Sequence, residues 1–143
     1  MDDKSQNINS FEDLLVWQKC KKLRQSISKF CDTLPKNEEY RLKDQLIRAS
    51  RSVTANIAEG YGRFHFQENI QYCRQARGSL YEVLDHLSCA LDEGYISQED
   101  FDKYKISVIN CIQIINGYIN YLKSAKVNFV KEESINYTLT NNE

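Results

Sequence analysis

The chain has 143 residues, 41% of them hydrophobic and 27% charged, with a formal net charge of -1. That length suits one domain with a real core. The charge excludes a whole-molecule basic field of the kind that draws in nucleic acid unaided. One proline and five glycines leave room for long uninterrupted helices, and no apolar run approaches the roughly 20 residues of a membrane span.

Residues 1–9 are polar and are expected to form a loose segment before a single folded unit over 10–126. The N-terminus carries no apolar stretch resembling a secretory leader, so the expected location is the cytoplasm. Ser10-Phe-Glu-Asp13 reads as a helix start, a serine cap followed by acids that meet the positive end of the helix dipole. Val16, Cys20, Leu23, Ile27, Phe30 and Leu34 then recur at spacings of four and three. This is one apolar stripe on a helix of about six turns, stopped by Pro35.

A second helix is predicted from the region Glu38 to Leu42 through Gly60. Leu42, Leu46, Ala49, Val53, Ile57 and Gly60 form its apolar line, and Ser52, Ala55 and Ala58 keep the neighbouring faces thin. Asn56 lies beside that line, where its amide needs a hydrogen-bond partner. Gly60 and Gly62 bracket Tyr61, a place where a left-handed glycine closes a last turn. A third helix over Phe66 to Glu93 is carried by Ile70, Cys73, Leu80, Leu84, Leu87 and Leu91, with Arg77 on the margin of the same line. Its interior Gly78 is expected to be compensated by close helix approach. Gly94 begins the next turn, and Ser97 to Asp100 repeats the capping logic of Ser10 to Asp13. The fourth helix carries Phe101, Tyr104, Val108, Cys111, Ile115, Tyr118 and Leu122 at near-heptad spacing. Ile109, Ile112, Ile114 and Ile119 give it more apolar surface than one seam needs, which predicts a second buried face against another subunit. Residues 127–143 lose the pattern and are read as a C-terminal tail. The fold predicted is all-α, an antiparallel up-down-up-down four-helix bundle.

Chemistry is sparse in this pattern. The histidines, His65 and His86, have no partner at metal-ligand spacing, and the paired Glu-x-x-His motifs of di-iron bundles are missing. No metal or other cofactor is expected. There is no Gly-x-Ser-x-Gly elbow, and Gly60-Tyr-Gly62 lacks the Gly-Lys-Ser/Thr and preceding strand of a phosphate loop. No catalytic residue, enzymatic activity or small-molecule substrate is expected. The five cysteines contain no Cys-x-x-Cys pair and read as free thiols, with Cys20, Cys73 and Cys111 as small core residues. Glu59 and Glu82 are each read as capping or pairing with an arginine such as Arg48, Arg63 or Arg77.

Charge is uneven: residues 1–63 carry a balance of +3 and residues 64–143 one of -4. Lys19, Lys21, Lys22 and Arg24 cluster on the first helix; Arg41, Lys43, Arg48 and Arg51 follow on the second. Antiparallel packing could merge them into a cationic face for phosphate, or leave them as an ordinary solvated surface. The candidate nucleic-acid contacts are Lys19, Lys22, Arg41, Arg48, Arg51 and Arg63. Trp17, Asn56, Glu59, Gly60 and Gly78 are the candidate structural or interface residues, with Trp17 a possible anchor for a subunit contact. The nine tyrosines are read as boundary packing rather than a base-stacking platform.

Several segments carry a resemblance: Leu15-Val-Trp-Gln-Lys19, Leu46-Ile-Arg-Ala-Ser50, Ser52-Val-Thr-Ala-Asn-Ile-Ala-Glu-Gly60, Gly62-Arg63, Ala76-Arg-Gly-Ser-Leu80 and Gly94-Tyr-Ile96. Over roughly residues 11–125 the chain resembles the bacterial four-helix-bundle proteins encoded by intervening sequences in large-subunit ribosomal RNA genes. The resemblance implies a homopentamer around a central channel. The chain is also similar to the accessory variability protein of diversity-generating retroelements, which is strongly basic and binds nucleic acid and its reverse transcriptase. The net charge of -1 departs from that pattern. The expected function is a non-enzymatic oligomeric scaffold binding RNA or a ribonucleoprotein partner. The alternatives are a protein-protein adaptor without nucleic acid, or an accessory subunit of a retroelement reverse transcriptase.

Overall fold

The computed structural model describes residues 8–141. Four helices follow in order: α1 (Leu15–Cys31), α2 (Leu42–Gly62), α3 (Phe66–Asp92) and α4 (Gln98–Asn141), and no strand is present among the described residues. Each packs on its neighbours in the cycle α1-α2-α3-α4-α1. Cross-helix partners advance along one helix while receding along the next. Ser26 meets Tyr104, whereas Lys19 meets Cys111; Arg77 meets Asn116, whereas Gln67 meets Lys126. Those pairs define an antiparallel four-helix bundle.

The stripes expected from periodicity are the ones buried. Val16, Cys20, Leu23, Ile27 and Phe30 of α1 face Leu46, Ala49, Val53 and Ile57 of α2, Ile70, Cys73, Leu80 and Leu87 of α3, and Val108, Cys111, Ile115 and Leu122 of α4 in one core. The helix boundaries differ where local turns intervene. The Ser10 to Asp13 capping box forms, with Ser10 Oγ accepting from Glu12 N and Asp13 Oδ2 accepting from Ser10 N. It closes only a 3-10 turn, because Leu14 is extended (ψ 127°) and drops into the core, so α1 begins at Leu15 and ends at Cys31. The first helix is therefore shorter than the six turns predicted. Glu38 caps α2 through Leu42 N at 3.1 Å, a carboxylate at a helix N-terminus. Ser97 caps α4 through Asp100 N at 3.1 Å, as expected.

The glycines behave differently from their sequence reading. Gly60 and Gly62 do not close α2 in a left-handed turn; both are inside it, and the left-handed residue of that connection is Phe64 (φ 51°). Gly60 is buried because α3 comes so near that a Cβ there would lie 2.8 Å from Asn69 Oδ1 and 2.8 Å from Tyr72 Cβ. Gly78, assigned close helix approach, is exposed with nothing within 4 Å. Gly94 (φ 76°) ends α3, with Tyr95 N donating to Ala90 O at 2.9 Å and Gly94 N to Leu91 O at 3.0 Å.

The stretch 127–143 read as a tail is helical through Asn141, a continuation of α4 whose residues from 127 onward are all exposed. The 44 residues of α4 span about 66 Å against about 40 Å for the 27 residues of α3. The helix outruns its apolar stripe because nothing in 127–141 breaks it: the span contains neither glycine nor proline. Of the segment 1–9 only Ile8 and Asn9 are described; residues 1–7 and 142–143 lie outside the described residues.

Four of the five thiols are buried, and Cys89 is exposed. Cys111 as a hydrogen-bond partner, together with burial, pushes the Cys20 thiol up; burial pushes Cys31 up to about 11 and Cys73 up to about 12. Burial likewise raises the Tyr118 phenol to about 12. A thiol reagent at pH 8 is expected to modify one cysteine in the folded chain and five after denaturation. Because the folded state holds protons that the unfolded state releases, this part of the stability is complete below the ordinary thiol value of 9.0. It is lost as pH rises toward about 11 to 12. Denaturant midpoints should stay level between pH 7 and pH 8.5 and fall above pH 9, values framed by the ordinary thiol pKa.

Candidate nucleic-acid interface

α1 and α4 meet more loosely than the other neighbouring pairs, and a groove follows their seam. One section, of 230 Å³, is lined by Lys19, Lys22 and Ser26 of α1 and by Ser107 and Asn110 of α4. Ser26 and Ser107 also belong to the adjoining section of 570 Å³, which carries Lys29 of α1 and Asp100, Lys103 and Tyr104 of α4. Lys19, Lys22 and Lys29 recur at three and seven residues, so they share one face over about 15 Å. Lys103 stands across the groove and pairs with Glu99 at 3.4 Å. The floor is held by Tyr104, whose ring lies 5.8 Å from that of Phe30 and whose hydroxyl donates to Ser26 O at 3.4 Å.

The six predicted contacts do not form one patch. Lys19 and Lys22 lie together in the groove, whereas Lys21 turns toward the Trp17 ring (5.3 Å) and Arg24 donates to Thr54 Oγ1 at 2.7 Å. Arg41 precedes α2 and Arg63 follows it, about 30 Å apart along the bundle. Arg48 is exposed and pairs with Asp44 at 3.1 Å. Arg51 is exposed on α2 with no ion pair among the described residues. Arg63 Nη2 donates to Glu59 Oε1 at 3.0 Å and to Tyr72 Oη at 2.8 Å, and the Tyr72 hydroxyl donates to the same Glu59 oxygen at 3.1 Å. Glu59 is thus an arginine partner, as read, although exposed pairs of this kind contribute little stability. Arg48 does not compete for it.

The remaining structural candidates sit within the chain's own packing. Asn56 Nδ2 finds its partners in Ser52 O (2.9 Å) and Ser52 Oγ (3.0 Å), and Ser52 Oγ lies 3.0 Å from Ser79 Oγ of α3. Trp17 packs edge-on against Phe11 at 5.1 Å. Lys29 and Lys103 were not singled out in the sequence. The seven-residue step from Lys22 to Lys29 was a visible signal; nothing local could place Lys103 opposite.

Four of the nine tyrosines (Tyr61, Tyr95, Tyr104 and Tyr118) pack against the core, Tyr40, Tyr81, Tyr121 and Tyr137 are exposed, and one end of the bundle is open and aromatic. Tyr61, Phe64, Tyr118 and Tyr121 surround a cavity of 580 Å³. Its lining holds Asp13 and His65 but no lysine or arginine among the described residues, so phosphate finds no permanent cation there. Among the described residues no group of three or more His, Cys, Asp or Glu is placed to hold a metal ion, and no helix is long and apolar enough to cross a membrane.

A family model described as "23S rRNA-intervening sequence protein" matches residues 12–117. Among solved structures, the chain is similar to a crystal structure from Bacteroides thetaiotaomicron VPI-5482, described as a protein with unknown function from the S23 ribosomal protein family. The two share 19% identity at a TM-score of 0.68, over 73% of this chain and 98% of that one, which shows a common fold. No curated protein matches the chain.

Proposed function

The chain belongs to the 23S rRNA-intervening sequence protein family, and from that premise we propose that it is a non-enzymatic, oligomeric helical scaffold that binds structured RNA or a ribonucleoprotein partner. The observation that carries this reading is the lysine row of the α1–α4 groove, Lys19, Lys22 and Lys29 with Lys103 opposite. With a net charge of -1, electrostatic attraction to a polyanion has to be local. A row of ammonium groups beside serine and asparagine donors is chemistry suited to phosphate and sugar contacts rather than to base reading. Arg51 and Arg48 on α2 extend the cationic surface on another side and play a secondary part.

The test is a titration against a structured RNA hairpin at 50 and 200 mM salt. Four engaged lysines predict that affinity falls roughly 100-fold between the two. Exchange of Lys19 and Lys22 for glutamate should weaken binding at least about tenfold, since two of the four phosphate partners become repulsive. Absence of binding at 50 mM salt would remove the RNA reading.

A homopentamer, implied by the family resemblance, is the proposed assembly. It draws support from Ile106, 62% exposed on α4, and its half-buried neighbour Ile109, which border an open hollow of 410 Å³. The same apolar surface favours the second reading, an adaptor that joins proteins without nucleic acid; partner capture that survives nuclease would select it. An accessory role beside a reverse transcriptase draws no support from the charge balance.

A further inference from the structure

A second cationic locus lies between α3 and α4, on residues that the RNA reading does not use. Arg74 of α3 and Lys123, Lys126 and Lys131 of α4 rim a groove of 410 Å³ whose floor is Ile70, Val127 and Val130. The remaining lining residue is Gln67, whose Oε1 accepts from Lys126 Nζ at 2.9 Å and draws that ammonium across the rim. No carboxylate lines it among the described residues. On α3, Gln67, Ile70 and Arg74 step by three and four; on α4, Lys123, Val127 and Val130 do the same. Two antiparallel helices therefore present adjacent stripes with a trough between them, the shape into which a third helix packs.

The trough sits where α4 leaves the bundle. Val127 and Val130 are 51% and 56% exposed, while Ile70 beneath them is buried. Continuing the α4 stripe by four and three reaches Ser134 and Tyr137, the latter 72% exposed. Phe129 against Phe66 (6.0 Å) is the one aromatic contact tying this extension to the rest of the chain among the described residues. A single helix end of this length is marginal in water, so a packed neighbour would stabilise it.

We propose that this groove docks an acidic amphipathic helix of a partner protein. Its apolar side chains at spacings of three and four would cover Val127 and Val130 above the buried Ile70, and its carboxylates would meet the four cations. The floor argues against single-stranded RNA: it is aliphatic, and the lining holds no aromatic ring among the described residues and a single guanidinium, Arg74, on which a base could stack. The rim decides against a neutral apolar segment, because four cations without an acid favour an anionic occupant. This proposal does not depend on the RNA reading.

The experiment uses the full chain and a fluorescein-labelled peptide of 18 residues, with leucine at alternating spacings of three and four and glutamate at most other positions. A scrambled peptide of equal composition and a labelled oligouridine of 18 nucleotides are the comparisons. Anisotropy should show the patterned peptide binding at least tenfold more tightly than the scrambled one. Lys123→Glu with Lys126→Glu should weaken it at least tenfold, and Val130→Ser severalfold, with unchanged circular dichroism; Lys123 and Val130 are exposed and Lys126 is half-buried on the rim, so the circular dichroism is the check on folding. Lys36→Glu with Lys105→Glu, an equal charge change elsewhere, should leave binding unchanged. Equal binding of the scrambled peptide overturns the proposal, as does oligouridine that competes for the groove. So does self-association that the Lys123/Lys126 variant abolishes while the peptide fails to bind, since the occupant is then a second copy. None of these outcomes bears on Lys19 and Lys22, so the two readings fail separately.

Discussion

Gly60→Ala is expected to destabilise the protein, whereas Gly78→Ala stabilises it. The added methyl at residue 60 would meet Asn69 Oδ1 and Tyr72 Cβ at 2.8 Å and the Asn69 carbonyl oxygen at 3.2 Å. The Tyr72 Cβ and the carbonyl belong to the α3 backbone frame, so relief requires α3 to move away from α2. Forced overpacking of this kind costs about 1–3 kcal/mol. Alanine returns up to about 1 kcal/mol of helix propensity. The net effect is a loss of up to about 2 kcal/mol, compounded by disturbance of the Asn69 amide that donates to Tyr118 Oη at 3.3 Å. At Gly78 the same methyl meets nothing within 4 Å, so only the propensity gain of about 0.5–1 kcal/mol remains. Urea denaturation of the two variants checks both signs; a stabilised Gly60→Ala chain would refute the close approach of α2 and α3.

Leu80→Ala should be more damaging, at about 2–5 kcal/mol. Leu80 is fully buried at the middle of α3, among a core drawn from all four helices. Truncation removes the transfer free energy of three methyl or methine carbons and leaves a cavity that four tightly packed helices cannot collapse. Against a typical total of about 5–15 kcal/mol, that loss leaves a marginal fold. Leu15→Ala is the control: Leu15 is 59% exposed on α1, so its truncation should change stability by less than about 0.5 kcal/mol. Comparable losses at both positions would contradict the assignment of the buried stripe.

The core was legible because burial in a bundle follows a local rule. Leu46, Ile57, Ile70, Leu80 and Ile115 fall on lines of period 3.6, and those lines are the ones that lose contact with water. Caps were legible for the same reason, since Ser97 needs only the next three residues to satisfy a backbone N–H. Leu14 shows where locality fails. Its cap box formed as read, yet an extended backbone was selected because it buries the leucine side chain.

The candidate site was legible only in part. Lys19 and Lys22 stood out as neighbours on one helix, and the structure keeps them together. Arg41 and Arg63 were drawn into the same face by composition, but α2 holds them at opposite ends of the bundle. The rim of Arg74, Lys123, Lys126 and Lys131 went unseen because Arg74 is separated from the three lysines by most of α3 and the first half of α4.

What the amino-acid order determined by itself was the set of four amphipathic helices and the stripes they bury, because side-chain periodicity and capping act within a few residues. Tertiary structure alone decided which helix lies opposite which. Gly60 is a close-approach glycine and Gly78 is a solvent-facing one, although both stand inside helices. Lys103 joins the lysines of α1, and a cationic groove opens where α4 outruns α3. These are distances between groups far apart in the chain, and they exist only once the helices have packed.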